Sequence, residues 1–331
     1  MPTMPTLPTP PTVQNPPTVP DVQTSPNAQE QSAVEELVRP PLAMKLANLT
    51  AVVVPFAGFV VAIVLLWHIA FNWTYLSILI GMYLISAIGV TVGYHRLFTH
   101  SSFKTPKPVV AMLAVMGSMA VEGPVLRWVA THRRHHQHSD QDCDPHSPHL
   151  HGAGLWNMIR GMLHSHVGWL FKPDIEGLSQ YVGDLRKDKL VVWMSDHFTY
   201  WVVLGLLIPA VLGGLLTMSW TGVLLGFLWG GPVRVFLVHH MTWSINSVCH
   251  IWGAQPFNTH DHSRNNAIIG PVSLGEGWHN NHHAFPNSAR HGLQWWQLDP
   301  SYMIIWTMSK IGLAHAVRIP TKERISARRM R

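Results

Sequence analysis

At 331 residues the chain is long enough for one large domain or two ordinary ones, yet only 12% of it is charged, 15 residues are tryptophan and its mean hydropathy is +0.13, a balance that fits a membrane protein. The formal charge of +6 and pI near 9.5 would also suit nucleic acid, but the basic residues are spread over several segments beside apolar ones. An anionic lipid surface or an acidic partner is therefore expected, and nucleic acid is not.

The first 41 residues hold 11 of the 25 prolines among Thr, Gln and Val, with no long apolar run, which predicts a disordered tail and not a secretory signal. Residues 42–315 are expected to form the membrane domain, and 316–331 a basic tail. Within the domain, apolar spans at about 49–70, 75–94, 198–216 and 221–240 are each long enough to cross roughly 30 Å of hydrocarbon as a helix. All 23 Lys and Arg lie outside residues 46–95 and 190–233, so the short turns 71–74 and 217–220 carry none. By the positive-inside rule both termini and the segments 95–190 and 241–315 are expected on the cytoplasmic side, with Trp73 and Trp220 anchoring the opposite interface. The predicted fold is thus an all-α membrane protein with four transmembrane helices beneath a cytoplasmic helical cap.

Within the cap segments, Val109 to Val121 is apolar but too short to cross and is expected to lie in or dip into the interface. Leu155 to Phe171 spaces Trp156, Ile159, Leu163 and His166 as an amphipathic helix on the membrane surface. Asp299 before Pro300 predicts a helix start. Cys143 and Cys249, on the reducing side in this topology, are expected to be free thiols.

Three histidine clusters follow apolar stretches: His95 and His100; His132, His135 and His136; and His279, His282 and His283, with Asn246 and His250 before the last. On a helix, residues four apart differ by about 40° in direction, so His132 and His136 share a face, as do His279 and His283, and as do Asn246 and His250. His95 and His100, five apart, diverge by about 140° in a straight α-helix. They need a helix end, or different metals, to serve one site. Nine imidazoles are too many for a closed four-ligand zinc site and fit a redox iron pair better, although imidazole also suits Zn, Cu and Ni. Ligating imidazoles are neutral and donate their other nitrogen to carboxylates, for which Asp140, Asp142, Asp144 and Glu276 are the candidates nearest in sequence. A metal transporter with the same residue types would place its ligands near mid-span.

At these residues the chain resembles the membrane fatty acyl desaturases of the delta-9 type, in a bacterial-like form without a cytochrome b5 domain. The resemblance runs through Gly93–His100, Trp128–His136, Asp144–His146, Ser165–Trp169, Asn246–His250 and Gly275–Pro286, and covers roughly residues 42–315. It implies a nonhaem centre of two iron ions with the nine histidines as ligands, Asn246 reaching one iron through water, and O2 as co-substrate. It further implies a fatty acyl substrate, acyl-CoA before acyl-lipid or acyl-carrier protein, desaturated at the delta-9 position with electrons from a separate reductase, ferredoxin or cytochrome. A hydroxylase on the same scaffold is the alternative reaction. Trp128, Arg234, Thr242 and Trp243 are expected along the substrate tunnel, with Arg234 alternatively reaching lipid headgroups. Two departures stand out: Ala130-Thr131 replaces an Arg-Asp pair of the acyl-CoA members, and Glu122 replaces a more usual Gln. A chain remnant of about nine carbons would reach Leu84 to Ala87 on the second span.

Overall fold

The structure, a computed structural model, describes residues 37–38, 41–69, 72–172, 174–175 and 177–330, so nearly all of the Pro-rich segment lies outside the described residues. The described chain is helical, with one short antiparallel ribbon pairing Leu37–Val38 with Asp174–Ile175. Four helical runs are long and apolar enough to cross a membrane: Leu42–Leu65, Trp73–Thr99, Phe198–Thr217 and Trp220–Ile251. The first belongs to α1 (Leu42–Ile69). The second is α2 (Trp73–Ile88), started by the Asn72 side chain accepting from Thr74 N at 2.8 Å and prolonged by a π-helical segment, Gly89–Thr99.

Between these runs lie α3 (Lys107–Ser118), α4 (Val125–His138), α5 (Leu155–His166) and α6 (Lys189–Asp196); α7 (Phe198–Thr217) follows directly. The last run joins α8 (Trp220–Leu228), a π-helical turn over Trp229–Val233 and α9 (Arg234–Ile251). Beyond it come the short α10 (Ile269–Val272) and α11 (His279–Ala284), then α12 (Pro300–Lys310), where Asp299 caps the start by accepting from Tyr302 N at 2.9 Å as its sequence predicts, and α13 (Lys322–Arg328).

The second and fourth runs extend past the apolar spans by the residues that carry histidines. Rigid helical backbone therefore reaches His95 at one end and His250 at the other. The apolar helix α3 packs alongside the π-helical segment, so closely that a Cβ on Gly89 would overlap the backbone at Gly117. Behind it, Tyr94, Phe98, Ala114, Val125, Val129 and Ala130 form one buried cluster that fixes α4 against the segment bearing His95. Arg133 reinforces this join by donating to Phe98 O at 2.8 Å, to Thr99 O at 3.0 Å and to both oxygens of Asp184.

α5 buries Gly161, His164 and Ser165 while leaving Leu155, Trp156 and Leu163 exposed. Its apolar side faces outward, the reverse of a helix meeting water, and the polarity that a lipid-facing surface helix requires. Arg234 is wholly buried. Its guanidinium donates to Gly230 O and Gly205 O, both at 3.0 Å, to Ser86 Oγ at 3.1 Å and to Met119 O, tying α2, α7 and the end of α3 to α9. Every bond runs into the protein, so it does not reach outward as a headgroup ligand would.

Candidate metal centre

The nine histidines converge into two groups. His95, His100, His132, His136 and His282 bring one ring nitrogen each within 4.8 Å of one another, and His135, His250, His279 and His283 do the same beside them. Each His-x-x-His-His helix divides its residues. α4 gives His132 and His136 to the first group and His135 to the second, whereas α11 gives His282 to the first and His279 and His283 to the second. The four-residue spacing thus places the residues that it predicts to share a face in one group.

The five-residue spacing of His95 and His100 is resolved by the backbone. In the π-helical segment hydrogen bonds span five residues, and His100 N closes the end by donating to His95 O at 3.2 Å. The two rings meet with centroids 4.8 Å apart, so both serve the same group.

Carboxylates hold the outward nitrogens. Nδ1 of His135 lies 3.0 Å from Asp144, that of His250 2.9 Å from Asp140, that of His283 2.5 Å from Asp261 and that of His95 2.7 Å from Glu276. Three of the four acids named from the sequence take this role; Asp142 is instead exposed. Asp261 was not foreseen, being 22 residues before its partner. Burial alone would raise these acids, but the facing imidazoles hold Asp140, Asp144, Asp261 and Glu276 well below the usual carboxylate range. Arg96, buried and paired with Glu276 at 3.1 Å and Asp299 at 2.9 Å, supports Glu276 further. Gly275 brings Glu276 into place at φ +109°, where a side chain would also crowd Asp299.

These contacts fix the tautomers. A ring that donates Nδ1–H to a carboxylate presents an Nε2 lone pair, as metal ligation requires. Nε2 of His135, His283 and His100 are buried without a partner, and other Nε2 atoms face each other directly: His95 and His282 at 3.1 Å, His132 and His136 at 3.1 Å, His136 and His282 at 2.8 Å, His250 and His279 at 3.0 Å. His136 Nε2 meets both His132 and His282, and His282 Nε2 meets both His136 and His95, so one proton on each ring cannot satisfy every pair, whereas a cation between them would. Two nitrogen ligands at right angles, about 2.1 Å from one ion, stand about 3 Å apart. The donor set therefore fits metal in both groups. Burial pushes His100, His132, His136, His279 and His282 well below the ordinary histidine value, and His283 down to about 4 against the pull of Asp261, so these rings are neutral near pH 7.

Around the groups, Asn246 lies one turn before His250 on α9, half-buried. Trp128 stacks on His132 with centroids 5.0 Å apart and donates Nε1–H to Glu122 at 2.9 Å. Thr242 is half-buried with its hydroxyl oxygen enclosed, and Trp243 is buried against His239 and His166. His239 is bonded to the Ala120 and Val121 carbonyls and His240 to His166, so neither enters the histidine groups. His146 is buried, its ring centroid 4.5 Å from that of His135.

The profile of the fatty acid desaturase family matches residues 70–314. A hex-5-enoyl-(acyl-carrier protein) acetylenase of Moorena producens is 45% identical over 280 residues, 84% of this chain and 87% of that protein. An acyl-CoA C20 Delta5-desaturase of Anemone leveillei is 39% identical over 257 residues, 76% of each chain. The delta-9 acyl-lipid desaturase 1 of Arabidopsis thaliana is 38% identical over 256 residues, 76% of this chain and 78% of that one.

Proposed function

The chain belongs to the fatty acid desaturase family, and from that premise we propose that its two histidine groups hold a nonhaem pair of iron ions and that it inserts a cis double bond into a saturated fatty acyl chain. His95, His100, His132, His136 and His282 would bind one ion; His135, His250, His279 and His283 would bind the other, with Asn246 reaching it through water. When bound, the pair would supply the reaction in which O2, two electrons and two protons, together with two hydrogens taken from the acyl chain, leave as two waters. The observation that carries this reading is the division of nine enclosed imidazoles into two groups, four of which turn their outward nitrogen onto a carboxylate.

The remaining residues position and exclude. Trp128, held between Glu122 and His132, would wall the tunnel beside the first group, with Thr242 and Trp243 lining it from α9. Their task is to fix one pair of methylenes and keep bulk water away. Arg234, expected along the same tunnel, would shape it by bracing the helices around it. The charge pattern supports a cytoplasmic position for the centre, where a separate reductase, ferredoxin or cytochrome would deliver electrons.

For the substrate we take acyl-CoA at the delta-9 position as the first reading. A second, an acyl group on lipid or carrier protein, is favoured by one observation: Ala130 is packed in the cluster around Tyr94 and Val129 and offers a CoA headgroup no charged contact. The relatives include proteins named for all three carriers. Expression in a desaturase-deficient host followed by fatty acid analysis tests the reaction, with unsaturated products expected and hydroxylated ones contradicting it. Supplying membranes with acyl-CoA, acyl-carrier protein or acyl-lipid separates the carriers.

A further inference from the structure

His136 and His283, one from each histidine group, stack with ring centroids 4.5 Å apart and planes at 29°. A cleft of about 960 Å³ opens beside them, walled by both histidines and by Gln137, Gln141, Asp261 and Arg329. Gln137 and Gln141 are exposed, so the cleft meets solvent at the C-terminal end of α4. Trp128, proposed to wall the acyl tunnel, lies on the same helix about 12 Å back from His136. The cleft therefore approaches the two groups from the end that the acyl chain does not occupy.

α13 and the residues after it form the rim. Arg328 donates to Ala284 O and lies over the Phe285 ring, 5.4 Å from its centroid, while Met330 N donates to Pro256 O at 2.9 Å. The C-terminal segment is thereby strapped onto α11, which carries His283. A second cleft of about 710 Å³, also bordered by His283 and Arg328, adds Arg318 and Arg324. Arg318, Lys322, Arg324, Arg328 and Arg329 are all exposed, against the acids Glu323 and, next to Gln141, Asp142. Among the described residues, of these five only Arg328 has its side chain bonded within the protein. Ile325 turns the other side of α13 inward onto Phe257, Ala284 and Phe285. α13 thus exposes charge where α5 exposes Leu155, Trp156 and Leu163, a polarity suited to a partner in water and not to lipid.

We infer that this arginine-rimmed cleft is the docking surface of the electron donor, a small acidic one-electron carrier protein. The inference rests on the reaction proposed above. The cations of the rim would meet carboxylates of the carrier and steer its encounter. The cleft would then bring its redox group toward the contact between His136 and His283, where both groups are one side chain away. Each docked carrier gives up one electron and leaves oxidised, so two encounters supply the two electrons used per double bond. An acidic acyl-carrier protein would compete for the same charges, but its acyl chain must enter the tunnel beside Trp128, toward the other end of α4.

The test uses the full chain in detergent and measures its binding to two acidic redox probes, a plant-type ferredoxin and the soluble domain of a cytochrome b5, beside an acyl-carrier protein. Wild type is expected to bind at least one redox probe, and salt to weaken that binding. The triple variant Arg318→Glu, Arg324→Glu and Arg329→Glu should bind the same probe about 10–100-fold more weakly at low ionic strength, with the difference closing at high salt. The neutral variant Arg318→Gln, Arg324→Gln and Arg329→Gln should fall between, and it decides the matter if the glutamates prevent folding. Wild-type affinity in both variants, binding of neither redox probe by wild type, or loss of acyl-carrier protein binding alone overturns the inference. Arginine-dependent docking by a wild-type chain that retains no iron contradicts the metal reading and leaves the docking surface standing.

Discussion

The five-histidine and four-histidine groups draw on the same two helices, α4 and α11, yet they are braced differently. In the four-histidine group, His135, His250 and His283 each rest on a separate acid, two of them, Asp144 and Asp140, in the loop after α4 and the third, Asp261, beyond α9. In the five-histidine group support converges on Glu276, which is itself held by Arg96 and touches His95 and His291. The first arrangement spreads its dependence over three contacts. The second concentrates it in one, so damage to a single side chain should separate the groups functionally.

The largest expected effect comes from the imidazoles. Replacing His135 or His282 with Ala should abolish desaturation, because the proposed centre needs both groups, and retained activity would remove that residue from the ligand set. Next comes the bracing. Glu276→Gln should weaken one metal equivalent by about 10–100-fold, while Asp261→Asn should weaken the other. Metal titration of the two variants checks this, and loss of the same equivalent in both would erase the distinction between the groups.

A smaller effect concerns Glu122, which props Trp128 against His132 on the five-histidine side and has no equivalent on the other. Burial raises its pKa from 4.5 to about 7. Between those values the folded protein binds the proton more tightly than the unfolded chain, so stability falls as pH rises through that window. The loss is complete above it and is on the order of 3 kcal/mol. Glu122→Gln should lack it, so its melting temperature relative to wild type should climb from pH 5 to pH 8. Parallel profiles would contradict this. The smallest effect lies along the second span. Ala87 is fully buried while Leu84 is 40% exposed, so Ala87→Phe should shorten the preferred acyl chain and Leu84→Phe should not. Product chain lengths from both variants decide it.

Much of the fold and the site was legible because periodicity reports them directly. Runs of apolar residues mark the four spans, and four-residue histidine spacing marks shared helix faces. What stayed hidden depended on backbone or on distant sequence. A π-helix is rare enough that the five-residue spacing of His95 and His100 reads as a conflict, and only the structure turns it into one face. Asp261 and His291 lie outside the histidine boxes and carry no pattern of their own. Arg234 stands out as a charge in an apolar span, but its bonding to carbonyls on several helices could not be read from that position.

The central claim, that nine imidazoles form two metal sites of unequal bracing, is tested most directly by counting iron in protein purified from iron-replete cells, with wild type and Glu276→Gln side by side. The account predicts close to two irons per chain in wild type and close to one in the variant after dialysis against a chelator. Variable loading with readily displaced zinc, or equal retention of iron in both proteins, would contradict it.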